Sequence, residues 1–105
     1  MANICDNKFY IFCEDEGVLN DIVEKLENTF GDQLDGEISY SDENMIEGYF
    51  DSKWCFPDQI FGDFFNEFDD DSIYMRCLSE EYGMGLVSMN IYEDCAWKEP
   101  QYFQL

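Results

Sequence analysis

Glu16–Phe30 reads EGVLNDIVEKLENTF. Val18, Leu19, Ile22, Val23, Leu26 and Phe30 fall on one helical stripe, with Glu16, Asp21, Glu24 and Glu27 off it. Glu14, Asp15 and Glu16 stand at the start of this segment, where the helix dipole favours anions. Gly31 follows as the expected C-terminal cap. The helix is decisive because the segments around it read as strands. Upstream, Lys8–Phe12 is short, apolar and aromatic, as a buried strand is. Downstream, Glu37–Tyr40 and Met45–Phe50 read as a hairpin around Ser41-Asp42-Glu43-Asn44. Pro57 suits the first turn of a second helix, whose stripe is Ile60, Phe61, Phe64, Phe65 and Phe68. Ile73–Leu78 and Leu86–Tyr92 form a further strand pair, joined through Glu80-Glu81-Tyr82-Gly83-Met84-Gly85. For the tail, Ala96–Leu105, both packing of Trp97, Tyr102 and Phe103 and fraying stay open.

The order is strand, helix, strand, strand, helix, strand, strand. Two amphipathic helices must each bury one stripe, and one face of an antiparallel sheet can take both. The expected fold is α+β and ferredoxin-like: an antiparallel sheet of four to five strands with two helices on one face. One domain spans residues 1–105.

Composition separates this chain from acidic disorder. It has 25 Asp and Glu against 5 Lys and Arg, no His, and a formal net charge of -20. Yet 46% of its residues are hydrophobic and 18% aromatic, which is core material that disordered acidic chains lack. The net charge argues against direct binding of nucleic acid or anionic membranes. No apolar run approaches the roughly 20 residues of a membrane helix. The start, Met-Ala-Asn-Ile-Cys-Asp, lacks the basic and apolar regions of a signal peptide. The expected place of action is the cytoplasm of a host cell.

Cys5, Cys13, Cys55, Cys77 and Cys95 are odd in number and have no metal-ligand or redox spacing. They read as five reduced thiols serving as small core residues. Without His, no Cys or Ser has the usual base, and Gly83-Met84-Gly85 lacks the Lys and helix of a phosphate loop. Asp69-Asp70-Asp71 and Asp32-x-x-Asp35-Gly36 are oxygen-rich but lack the alternating ligands of a calcium loop, so they read as solvated ends. No catalytic residue, cofactor or metal is expected.

A resemblance rests on Phe50-Asp51-Ser52-Lys53-Trp54-Cys55-Phe56-Pro57 and Leu78-Ser79-Glu80-Glu81-Tyr82-Gly83. The chain resembles the YubB-like ferredoxin-like domain of small phage and plasmid proteins, matching its pattern at Phe50, Ser52, Trp54 and Pro57. Phe56 stands where members of that family often carry a second Pro. The resemblance implies a fold and a mobile-element origin and no activity.

The acidic residues are the informative set. Asp21, Glu24 and Glu27 on the first helix, and Asp58, Asp63, Glu67 and Asp70 on the second, lie off the apolar stripes. Carboxylates three or four apart on a helix are about 5–6 Å apart, and alternate strand residues about 6.6 Å, comparable to phosphates along a strand. Such an array can occupy Lys and Arg sites meant for phosphates, which supply most non-specific affinity for nucleic acid. Glu37, Asp42, Glu43 and Glu47 add the hairpin to this surface, and Trp54 is a candidate apolar contact. The competing reading is an acidic face kept for solubility.

The expected function is a non-enzymatic acidic inhibitor from a phage or mobile element. It mimics nucleic-acid phosphates to block a host defence protein such as a CRISPR effector or restriction enzyme. The expected partner-binding residues are Asp21, Glu24, Glu27, Glu43, Glu47, Asp63, Glu67, Asp70 and Trp54. The alternative is an acidic protein-binding module, an immunity or accessory protein that neutralises a basic partner.

Overall fold

The computed structural model describes residues 4–53 and 55–104. The chain runs β1 (Ile4–Phe12), α1 (Glu16–Asp32), β2 (Asp35–Ser41), β3 (Met45–Lys53), α2 (Asp58–Phe61), β4 (Tyr74–Glu81), β5 (Leu86–Glu93), β6 (Ala96–Trp97) and β7 (Gln101–Gln104). All pairings are antiparallel, in the order β2-β3-β1-β4-β5-β6, with β7 also on β5. The class is α+β. The sheet has seven strands rather than four to five, because the tail adds β6 and β7 along one edge of β5.

β1 lies at the centre. Cys5, Asn7, Phe9 and Ile11 are buried, while Asp6 and Lys8 between them and Phe12 at the end are exposed and Tyr10 is half-buried. The buried rows continue through Ile46 and Phe50 on β3 and Met75 and Cys77 on β4. Leu19, Ile22 and Leu26 of α1 and Phe61 of α2 join these residues in a single core cluster. Asp15 caps α1, its Oδ1 accepting from the Val18 amide at 3.1 Å. The helix passes through Gly31 and ends at Asp32, so the cap is Gln33, whose amide bonds to the Thr29 carbonyl.

The second helix is a single turn. Beyond Phe61 the chain continues as turns, with the amides of Phe64, Asn66 and Phe68 reaching back three residues to Phe61, Asp63 and Phe65. Gly62, Asp63 and Asn66 are poor helix residues, which removes local support for a longer helix. Packing keeps the aromatic stripe buried anyway. Phe61, Phe64 and Phe65 are in the core, with ring centroids 5.1 Å apart for the first pair and 5.0 Å for the second. The same aromatic chain ties down the tail: Phe65 lies 4.6 Å from Tyr92, Tyr92 lies 5.4 Å from Trp97, and Trp97 donates from Nε1 to the Phe61 carbonyl at 3.1 Å.

Candidate protein-binding surface

Asp21, Glu24 and Glu27 are exposed on α1, each three residues from the next, and form a continuous acidic ridge. Lys25 does not neutralise it. Its ammonium turns to the α2 segment, where it donates to the Phe64 carbonyl, pairs with Glu67 and lies 4.2 Å from the Phe64 ring centre.

The second acidic helix face expected from the sequence does not exist as such, because Asp63, Glu67 and Asp70 all lie beyond the end of α2. Each has a local partner. Asp63 accepts from Asn66 Nδ2 at 3.1 Å, and Glu67 holds Lys25. Asp70 accepts from the amide and hydroxyl of Ser72 at 2.8 and 2.6 Å. The Ser72 hydroxyl, then its amide, holds the Asp70 carboxyl below its ordinary value. Glu43 is exposed in the β2–β3 turn, which Asp42 closes by accepting from the amides of Asn44 and Met45, both at 2.9 Å. Glu47 projects from β3 beside Lys8, 3.8 Å away. Trp54 lies outside the described residues.

The sheet face opposite the core carries a feature that the sequence reading missed. The pairing register aligns Asp35, Asp51, Asp6 and Glu80 side by side on β2, β3, β1 and β4. The next row is Glu37, Tyr49, Lys8 and Leu78, and the one beyond places Tyr40, Glu47, Tyr10 and Arg76 together. Among the described residues the ion pairs are Lys8–Glu47 and Lys25–Glu67, so the four-carboxylate row has no paired cation. Burial, the Asp6 charge and the Asp35 charge push the Asp51 carboxyl up from its ordinary value. Tyr49 donates to Glu37, and Tyr82 donates to Glu80 at 2.6 Å; the accepting carboxylates raise both phenols. The signal was the alternation Asp6, Lys8, Tyr10 along β1, hidden by polar Asn7 on the core side.

That core side holds a polar network at the same end of the sheet. Asn7 donates to Ser52 Oγ at 2.9 Å and to the Phe50 carbonyl at 3.1 Å, and accepts from the Ser79 hydroxyl. Buried Glu81 accepts from the amides of Gly83 and Met84 at 2.8 and 2.7 Å, closing the β4–β5 turn. Among the described residues no buried side-chain nitrogen or oxygen lacks a hydrogen-bond partner. Burial pushes the Cys5 thiol up to about 11 and the Cys77 thiol up to about 12, far from a reactive thiolate. No group of three His, Cys, Asp or Glu among the described residues is placed to hold a metal ion. None of the described helices is long and apolar enough to cross a membrane.

No family model, curated protein or solved structure matches the chain.

Proposed function

We propose that the protein is a non-enzymatic acidic inhibitor that presents carboxylates in place of nucleic-acid phosphates. Its partner is then a basic, nucleic-acid-binding host protein such as a CRISPR effector or a restriction enzyme. The row Asp35–Asp51–Asp6–Glu80 carries this reading. Like charges directly opposite on neighbouring strands destabilise a sheet. Solubility needs no such row, since carboxylates scattered among lysines serve it as well. A cationic partner relieves the repulsion on binding. Adjacent strands are about 4.8 Å apart, so four carboxylates extend over roughly 14 Å, the scale of a few phosphates. The α1 ridge of Asp21, Glu24 and Glu27 is a second acidic surface, on the helix-covered side of the sheet.

The proposed fold is ferredoxin-like, with both helices on the core face of the sheet and the tail strands as an addition. The order β2-β3-β1-β4 supports it, as does the shared core of the α1 stripe and Phe61. A YubB-like mobile-element origin remains the reading of the Phe50–Pro57 motif, and action in the host cytoplasm follows from it.

Competition tests the function. The chain is immobilised, a host protein is captured at low salt, and its binding to a labelled DNA or RNA duplex is titrated with free chain. A mimic displaces the duplex, with an affinity that falls steeply with salt. Captured proteins that keep their nucleic acid at saturating chain would overturn the proposal in favour of an acidic module binding elsewhere.

A further inference from the structure

We propose that the uncovered face of the sheet is a docking surface for an arginine-bearing segment of the partner protein. The inference rests on the acidic-inhibitor reading and adds where contact is made and by which side chain.

This face is aromatic as well as acidic. Phe12, Tyr40, Tyr49, Tyr82 and Phe103 expose between 47% and 60% of their surface. The register puts Phe12, Tyr40 and Tyr49 on this face and sets Phe103 opposite Val87 at the far side of the acidic row. No described element packs over it: α1 contacts β2 and β3, and its buried stripe belongs to the core cluster. A depression of about 430 Å³ lies at the row, lined by Asp6, Tyr49, Asp51, Leu78, Glu80 and Tyr82 among others. Lys8 also borders it, with its ammonium turned to Glu47.

The combination selects a cation with a flat face. Carboxylates alone take lysine or arginine, but guanidinium also stacks on aromatic rings and spans two carboxylates at once. The chain's own cations show that cations rest on its aromatic rings. Arg76 stacks over Tyr10 at 5.0 Å, and Lys25 sits against Phe64 with Glu67 beside it. At the depression the rings and the four-carboxylate row are present, and the cation that borders them, Lys8, is paired with Glu47 rather than with the row. The hydrogen bonds from Tyr49 to Glu37 and Tyr82 to Glu80 place phenol rings beside acids, which strengthens each ring's attraction for a cation. Nucleic acid, being anionic, is repelled by the same row.

An amide-resolved NMR titration of the whole chain tests this, with an octapeptide of alternating glycine and arginine as the probe. The lysine counterpart is titrated in parallel. Shifts are expected at Asp6, Tyr49, Asp51, Glu80 and Tyr82, with the arginine peptide binding several-fold tighter. Asp6→Asn with Asp51→Asn and Glu80→Gln is expected to weaken the arginine peptide about tenfold, roughly 1.4 kcal/mol. Asp69→Asn with Asp71→Asn and Glu99→Gln, three exposed acids away from the row, removes the same charge and is expected to change binding less than about twofold. Melting temperature confirms that both variants fold. Equal losses from the two variants, shifts centred on α1, or equal binding of the two peptides would each overturn the sheet-face proposal. The inhibitor reading then stands or falls on duplex displacement, which this titration does not measure.

Discussion

Asp6 on β1 and Asp51 on β3 are direct cross-strand partners, two carboxylates facing each other on the open side of the sheet. Asp35 flanks Asp51 on the other side, and Glu80 flanks Asp6. Burial comes first and the Asp6 charge next in raising the Asp51 carboxyl from its ordinary 3.8. The folded protein therefore holds the Asp51 proton more tightly than the unfolded chain does. The stability this gives is complete at low pH and is lost as pH rises through the raised value.

Asp51→Asn is expected to raise the melting temperature at pH 7 by about 2–4 °C, corresponding to a few tenths of a kcal/mol at a partly exposed site. The wild type is also expected to gain stability as pH falls from 7 into the carboxylate range, and the variant to gain less. Below about pH 4 the trend reverses. Asp42 and Asp70 are held below 3.8 by hydrogen bonds, so the stability they contribute is lost as pH falls through their folded values. Thermal unfolding across this range by circular dichroism checks both limbs. An unchanged melting temperature in Asp51→Asn would show that Asp6 and Asp51 do not repel.

Gly48 stands opposite Phe9, and the Phe9 ring lies over its backbone. A β-carbon at Gly48 meets the Phe9 Cζ at 2.6 Å and the Glu37 carbonyl oxygen at 2.5 Å. One neighbour is a fully buried ring and the other is backbone, so neither can yield cheaply. Gly48→Ala is expected to destabilise by about 2–3 kcal/mol, lowering the melting temperature by roughly 10 °C or more. A shift under about 3 °C would mean that β2 moves freely away from β3.

Local pattern carried part of this fold. The α1 stripe starts at the residue its charges indicate, and Leu19, Ile22 and Leu26 are its most buried members. Its end was misjudged because Gly31, with open space around its α-carbon, fits within the helix as well as after it. β1 begins before Lys8 because Cys5 and Asn7 also face inward, and a buried Asn is acceptable only with partners such as Ser52 and Ser79 from distant strands. The two-residue β6 and four-residue β7 have no pattern of their own and form through pairing with β5. The acidic row is likewise a product of register. Asp6, Asp35, Asp51 and Glu80 lie far apart in sequence, and only the pairing of four strands makes them neighbours.

The five thiols, read as core residues from sequence, divide in the structure. Cys5, Cys13 and Cys77 are buried, whereas Cys55 and Cys95 are exposed. Burial raises all three inner thiols, Cys13 less clearly than the others because Ser72 and the Asp15 backbone oppose it. Iodoacetamide at pH 8 is therefore expected to modify Cys55 and Cys95 quickly and the other three only on unfolding. Peptide mass mapping reads the sites directly. Rapid native labelling of Cys77 would contradict the packing of β4.

Asp94 and Cys95 join β5 to β6, with Glu93 paired to Ala96 across them. Both have positive φ, 54° and 62°, the left-handed region that a two-residue hairpin turn of this kind requires. Non-glycine residues adopt that region at a cost, least for Asn and absent for Gly. The turn is maintained because Trp97, just beyond it, packs on Phe56, Phe65 and Tyr92 and bonds to the Phe61 carbonyl. Asp94→Asn with Cys95→Gly relieves the strain without touching those contacts. The pair is expected to stabilise the protein by about 1 kcal/mol, raising the melting temperature by roughly 4–8 °C. Cys95→Gly alone should account for most of it, since Asp is already among the residues that tolerate this conformation. A lower melting temperature for Cys95→Gly would mean that the greater freedom of glycine in the unfolded chain outweighs the relief, and that Trp97 holds the turn with little strain.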